Sequence, residues 1–265
     1  MLTMRKAVKM FISKINQYRI QKKCARDMRP YKDTCTGRCF VVGSGPSLTV
    51  DDLELIKDEV SFSSNRIYGI FPKTSWRPTY YACQDDGVLL ELNNKFYEIS
   101  NQVGTMFLSG NQMRKYEHRL KKKNNVRFMY INNTEEGAKK FDIDVTDGIH
   151  NAINISYTLI ELAIYMGFTE IYLIGIDHNY KTIEKDGAKV LDGNSGDNYF
   201  QGVAPLKLES KISTFYDASW EDARTQCFIN AKKYADANGI RIVNCTRGGK
   251  LEVFPREALE TVLSK

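Results

Sequence analysis

Six short polar stretches, most of them at the ends of apolar runs, hold the residues that could do chemistry in this chain. The first is Gly43-Ser44-Gly45-Pro46-Ser47, directly after Cys-Phe-Val-Val. A glycine-rich turn between a strand and a helix brings backbone N–H groups and a helix N-terminus toward one spot, and such a spot attracts phosphate. Gly43, Ser44, Gly45, Pro46 and Ser47 are therefore read as nucleotide-binding, with Ser47 or Thr49 capping the helix that follows. The plainer alternative is a tight strand-to-helix turn that needs glycine for its shape. The dinucleotide pattern G-x-G-x-x-G fails because Leu48 holds the third glycine position. The acidic ribose ligand expected about 20 residues on is missing, and Asn65 ends the second apolar run instead. The lysine of a P-loop is absent as well, so the turn points to a nucleotide other than NAD.

The other stretches extend the same crevice. Asn65 and Arg66 follow the second run; an asparagine there hydrogen-bonds a base or ribose without charge, or else simply satisfies a turn. Gln84-Asp85-Asp86-Gly87 ends the third. Adjacent carboxylates at a strand end suit Mg2+ bridging phosphates, although Asp86 equally reads as a helix N-cap. Thr146, Asp147 and Gly148 are expected at the positive end of a long helix over 148–167, where they would bind an anion, cap the helix, or both. Asp177-His178-Asn179-Tyr180 closes the run Glu-Ile-Tyr-Leu-Ile-Gly-Ile. An ionisable pair just beyond a buried strand suits acid–base chemistry. His178 is the best placed of the three histidines; the alternative is an ordinary loop histidine. Asn244, Thr246 and Arg247 end a late strand and face the crevice, or make only a turn.

These positions need elements to hold them. Strands are expected at 38–43, 60–64, 79–84, 104–109, 126–131, 170–175 and 240–245. Helices are expected at 49–58, 87–99, 111–122, 148–167, 219–238 and 255–264. Short β-rich runs alternating with helical periodicity mean βαβ units. The fold class is α/β: a Rossmann-like, doubly wound, mainly parallel sheet with helices on both faces. A basic N-terminal helix precedes it, and a polar lid-like loop spans 178–218. Two parts are expected, an amphipathic arm at 1–37 and a nucleotide-binding catalytic domain at 38–265.

The bulk composition narrows the classes. The 265 residues are 42% hydrophobic and 26% charged, which is globular, and no apolar run nears the ~20 residues of a membrane span. Net charge is +6, but it is unevenly placed. Residues 1–38 hold eleven Lys and Arg against Asp27 and Asp33, about +9, so the remainder is about −3. That excludes a body-wide nucleic-acid surface. Met4, Val8, Phe11, Ile15 and Tyr18 step at helical spacing among the basic residues. Such a helix packs on the body or a partner subunit, or lies on anionic lipid. The six cysteines lack C-x-x-C or zinc spacing and are expected to be free thiols in a cytoplasmic protein.

Taken together, "VVGSGPSL", "SSNRIY", "TDGIHNA" and "GFTEIYLIGIDHNY" resemble two related groups. One is the small Rossmann-type bacterial sialyltransferases, which use CMP-linked sialic acid on lipooligosaccharides. The other is the family named for archaeal 6-hydroxymethylpterin diphosphokinase, which also supplies domains to flagellin-glycosylation factors. The resemblance covers roughly residues 38–180. It implies nucleotide contacts at Ser44–Ser47, Asn65 and Thr146–Gly148, and matches the Gly-Ile-Asp after the central strand to Gly175-Ile176-Asp177. It departs at two points: the lid at 181–218 lacks the sialyltransferases' histidine, and Asn179 replaces their phosphate-binding tyrosine, for which Tyr180 or Tyr199 substitutes. His178 with Asp177, or a lid aspartate in place of His178, is then the catalytic candidate. The implied activity is a glycosyltransferase of cell-surface polysaccharide or lipopolysaccharide assembly. Its partners are a nucleotide-sugar donor, most plausibly CMP-linked, and a glycan or glycolipid acceptor, and it needs no cofactor. The alternative is an Mg2+-dependent pterin diphosphokinase-like phosphotransferase using Asp85 and Asp86. A nucleotide-binding module without turnover is the third reading. Peripheral contact with the inner membrane face through residues 1–23, and a homo-oligomer, complete the expectations.

Overall fold

The seven expected strands form a single parallel sheet. They are β1 (Arg38–Val42), β2 (Ser61–Ser64), β3 (Tyr80–Cys83), β4 (Thr105–Ser109), β5 (Val126–Met129), β8 (Glu170–Ile174) and β11 (Arg241–Asn244). Their spatial order is β11-β8-β1-β2-β3-β4-β5, and every neighbouring pair is parallel. The structure, a computed structural model, describes residues 2–120, 122–132, 141, 144–150, 154–185, 188–191, 199–200 and 218–265.

The sheet is buried on both faces, which is why its strands read as continuous apolar runs. Along β1, Phe40 and Val42 enter one core while Cys39 and Val41 enter the other. Two long helices, α6 (Ile155–Tyr165) and α7 (Ala218–Ala237), cover the second face. Shorter elements cover the first: α2 (Val50–Leu55), α3 (Asp86–Leu92), α4 (Phe96–Ser100), α5 (Glu117–Leu120) and α8 (Leu259–Leu263). The single helix expected over 87–99 is thus two, and the one over 111–122 is a 3-10 segment, Gly110–Lys115, followed by α5. All six thiols are free, and five are buried. Burial pushes the Cys24 thiol up to about 12 and the Cys227 thiol to about 11, as suits small core hydrophobes.

The expected helix 148–167 begins late. Asn154 caps it, its side chain accepting from Ser156 N at 2.9 Å. Ahead of the cap, β7 (Ile149–His150) pairs in parallel with β6 (Ile131–Asn132). Thr146, Asp147 and Gly148 therefore occupy a turn before a short strand, not a helix N-terminus. The reason is non-local: a pairing with residues 131–132 outcompetes the helical periodicity of the segment.

The N-terminal helix α1 (Leu2–Met28) is 27 residues long. Its second half packs on the body. Cys24 and Met28 are buried, Lys23 pairs with Glu117 at 2.6 Å, and Gln21 donates to the Asp147 carbonyl at 2.9 Å. Residues 6–15 are exposed throughout, including Phe11 at 66%. Beyond β8, β9 (Thr182–Lys185) and β10 (Ala188–Leu191) pair antiparallel. Most of the lid-like loop lies outside the described residues. Tyr199 and Phe200 are described, and Phe200 N donates to the Ser44 carbonyl at 2.9 Å. No helix among the described residues is long and apolar enough to cross a membrane.

Candidate nucleotide site at the strand switch

β1 has β2 on one side and β8 on the other. Chain order reverses there, and beyond the carboxyl ends of such strands an open α/β sheet leaves a crevice. The loops after β1, β2 and β8 all end at this place.

The loops after β1 and β8 interlock. Gly43 N donates to the Ile174 carbonyl at 2.8 Å and Gly45 N to the Gly175 carbonyl at 2.9 Å. Ser47 Oγ donates to Asp177 Oδ2 at 2.8 Å. Both glycines are dictated by this approach: a Cβ on Gly43 would stand 2.3 Å from the Gly175 oxygen, and one on Gly45 1.9 Å from Asp177 Oδ2. The first helix after the turn is capped by Thr49, with Asp52 returning the bond to Thr49 N. The N–H groups of Gly43, Gly45 and Leu48 are thus committed within the protein. Burial pushes the Asp177 carboxyl above its usual range, against the pull of the Ser47 hydroxyl and N–H.

Asn65 stands differently. It holds left-handed backbone, φ 54°, at the end of β2, and its side-chain Oδ1 is buried without a hydrogen-bond partner. Its own carbonyl accepts from the Tyr81 hydroxyl at 2.5 Å. Strain plus an unsatisfied buried acceptor is what a waiting ligand contact looks like. Arg66 beside it is buried and grips Glu91 with both Nε, at 2.9 Å, and Nη2.

Asp177 and His178 diverge. Asp177 turns back to Ser47, whereas the His178 imidazole reaches α7, with Nε2 2.8 Å from Thr225 Oγ1. The ring packs edge-on against Phe228 and Tyr180, with centroids 5.6 Å and 6.3 Å away. His178 also takes left-handed backbone, φ 48°. It lines a cleft of about 440 Å3 together with Lys232, Lys233, Asp236, Lys250 and Glu252. The guanidinium of Arg224, on α7, lies 4.9 Å from the Tyr180 ring centroid. Nothing in the sequence reading picked out Arg224. A signal existed: it falls on the buried helical stripe Arg224, Cys227, Phe228, Ala231, Ala235, where a cation is out of place.

Three other groups are placed elsewhere or occupied. Thr146, Asp147 and Gly148 lie against α1, where Gln21 holds the Asp147 carbonyl. Asn244 and Thr246 staple loops, Thr246 Oγ1 accepting from Ile176 N at 3.1 Å and Asn244 Nδ2 donating to the Leu251 carbonyl at 2.8 Å. Arg247 pairs with Asp52 at 2.7 Å and with Glu260, so these three hold the frame instead of facing the crevice. Asp85, not Asp86, is the cap of α3, accepting from Val88 N at 2.9 Å. Asp86 accepts from Gln112 at 3.0 Å. Both are exposed, and no group of three or more His, Cys, Asp or Glu side chains suited to a metal occurs among the described residues. Asp177 is held away by Ser47, so the donors do not assemble a cation cage.

A parallel sheet with a polar crevice at its strand switch defines an α/β protein of Rossmann-like architecture. The 6-hydroxymethylpterin diphosphokinase MptE-like family model matches residues 11–182, and the chain belongs to that family. No curated protein matches it. Among solved structures it is similar to the Maf glycosyltransferase from Magnetospirillum magneticum AMB-1, with 16% identity and a TM-score of 0.53, over 92% of this chain and 39% of that one. It thus spans about two fifths of that protein's length. It is also similar to the sialyltransferase CstII from Campylobacter jejuni in complex with cytidine-5'-monophosphate, with 13% identity and a TM-score of 0.44, over 82% of this chain and 83% of that one. At 16% identity the likeness to the Maf structure concerns the fold.

Proposed function

We propose that the chain is a glycosyltransferase that binds a CMP-linked, sialic-acid-like sugar and passes it to a glycan or glycolipid acceptor of the cell surface. The observation that carries this reading is Asn65, with its left-handed backbone and unpartnered buried Oδ1 at the strand switch. A neutral acceptor there takes a hydrogen bond from a base amino group or a ribose hydroxyl, and the cost of leaving it unmade is recovered when the nucleotide arrives. Ser44 and the outer edge of the Gly43–Ser47 turn flank the nucleotide, and Tyr180 closes its far side. In this reading His178 takes the proton from the acceptor hydroxyl, reached through the cleft that the imidazole lines. Thr225 orients the imidazole, and Asp177 acts as a positioning residue that locks the β1 and β8 loops together.

The reading includes no metal requirement. The family's name favours a second one, an Mg2+-dependent diphosphokinase, for which Asp85 and Asp86 offer exposed oxygens. Calorimetry of the full chain with CMP and with ATP, each with Mg2+ and with EDTA, separates the two. CMP binding that survives EDTA is the expected result. ATP binding that needs Mg2+, with no CMP binding, overturns the transferase reading in favour of the diphosphokinase. Binding of CMP without sugar transfer to any acceptor leaves a nucleotide-binding module.

Residues 1–23 are proposed to rest on the inner membrane face. Val8, Phe11, Ile12 and Ile15 form one exposed helical stripe among Lys6, Lys9, Lys14 and Arg19, the pattern of an interfacial helix. The full chain should sediment with phosphatidylglycerol vesicles and be released by salt. Sedimentation unchanged in Phe11→Ser/Ile12→Ser refutes this contact.

A further inference from the structure

Arg66 and Arg224 are buried to the same degree, 7% exposed each, yet only one is neutralised. Arg66 is clasped by Glu91. Arg224 has Nε and Nη1 buried without a hydrogen-bond partner, and its guanidinium lies over the Tyr180 ring. A buried, unpaired guanidinium is costly. Proteins keep such a group where an anion completes it, because its fork matches the paired oxygens of phosphate or carboxylate.

The surroundings place that anion. Tyr199 lies within electrostatic reach of Arg66, Glu91 and Arg224 together, and the next residue, Phe200, is hydrogen-bonded to Ser44 in the β1 turn. Thr225, adjacent to Arg224, holds His178. Arg224, with Tyr180 and Tyr199 beside it, is thus the cationic group between the β1 turn and His178. Arg66 and Glu91 cancel, which leaves the Arg224 charge to favour an anion.

We propose that Arg224, flanked by Tyr180 and Tyr199, binds an anionic group of the donor, its phosphate or its sugar carboxylate. The anion site stands on the unpaired guanidinium; naming the donor as the source of the anion rests on the transferase reading. Bound there, the guanidinium holds the donor's anion beside His178 and would stabilise charge that develops on a departing phosphate.

The test measures binding of CMP, cytidine, N-acetylneuraminate and inorganic pyrophosphate to the wild-type chain and to Arg224→Met, Arg224→Gln and Arg224→Lys. CMP affinity should fall about tenfold or more in the Met and Gln variants, the size of a lost charge-assisted hydrogen bond, with cytidine affinity unchanged and partial recovery in Lys. A fall confined to N-acetylneuraminate assigns the site to the carboxylate instead. If CMP binds wild type and all variants alike, and N-acetylneuraminate does too, the inference is overturned while the transferase reading stands. If wild type ignores CMP, that reading fails; pyrophosphate binding that Arg224→Met abolishes then still supports the anion site, and its absence removes it. Without ligand, Arg224→Met should melt no lower than wild type, since it relieves an unpaired buried charge. Marked destabilisation would make Arg224 a structural residue and sink the proposal.

Discussion

Two strand ends carry aspartate at the open edge of the sheet, and they are used in opposite ways. Asp177, after β8, is 9% exposed, is wedged against Gly45 and holds Ser47. Asp85 and Asp86, after β3, are exposed and occupied by local bonds to Val88 and Gln112. The first bridges segments 130 residues apart; the second caps its own helix. A carboxylate at a strand end is therefore no evidence of chemistry by type alone. What separates the two is burial, and whether the partner is local or distant.

Substitutions can break this contrast, the largest effect first. Gly45→Ala places a Cβ in contact with Asp177 Oδ2 and, at 2.7 Å, with the Gly175 oxygen. The expected loss is about 3 kcal/mol, read as the midpoint shift in urea. Part of it should return in Gly45→Ala/Asp177→Gly, and a simple sum of the single effects would show that the two loops do not couple.

Asp177→Asn keeps the shape and removes the titration, for about 1–2 kcal/mol. Because burial raises the Asp177 pKa in the folded protein, its contribution is full below the ordinary carboxylate pKa of about 4 and is lost as pH rises through the raised value. The melting temperature of wild type should therefore decline relative to the variant as pH rises above about 4. Glu54 supplies the opposite slope. The hydroxyls of Thr74 and Ser75 hold its pKa down at about 2, so its contribution is present above the unfolded pKa and is lost as pH falls through about 2. Parallel pH–melting curves for wild type and Asp177→Asn would contradict the assignment.

Asp85→Ala removes the α3 cap for about 1 kcal/mol, and Asp85→Asn should restore it. Neither should change CMP affinity with or without EDTA; a tenfold loss in Asp85→Asn would place a cation there after all. Smallest of all, Asp86→Ala gives up one exposed hydrogen bond and should stay within ~0.5 kcal/mol of wild type by thermal melting.

The sheet was legible because its signal is local. A strand buried on both faces writes its own apolar run, as Cys39–Val42 and Ile171–Ile174 do. The same locality misled at 148–150, where apolar spacing continued smoothly into α6 but the chain pairs with Ile131–Asn132 instead. The place of Asn65 at the end of β2 could be read as well, since strand-end position is itself a sequence property. The purpose of Gly43 and Gly45 could not, because it depends on Gly175 and Asp177 arriving from far along the chain. Arg247 was assigned to the crevice for the same reason; its partner Asp52 lies 195 residues away. Arg224 was hidden by a different cause: reading α7 as one amphipathic helix treats an arginine as surface unless its place on the apolar stripe is checked.

The locked loops after β1 and β8 also have a consequence for descent. Each needs the other's smallness or its carboxylate, so neither can drift alone. Across relatives, positions 43, 45, 47, 175 and 177 should change together or stay as they are, while Asp85 and Asp86 are free to wander one at a time. A lineage that traded Gly45 for a larger residue would be expected to carry a compensating change at 177, a paired record left by a contact that no single stretch of the sequence displays.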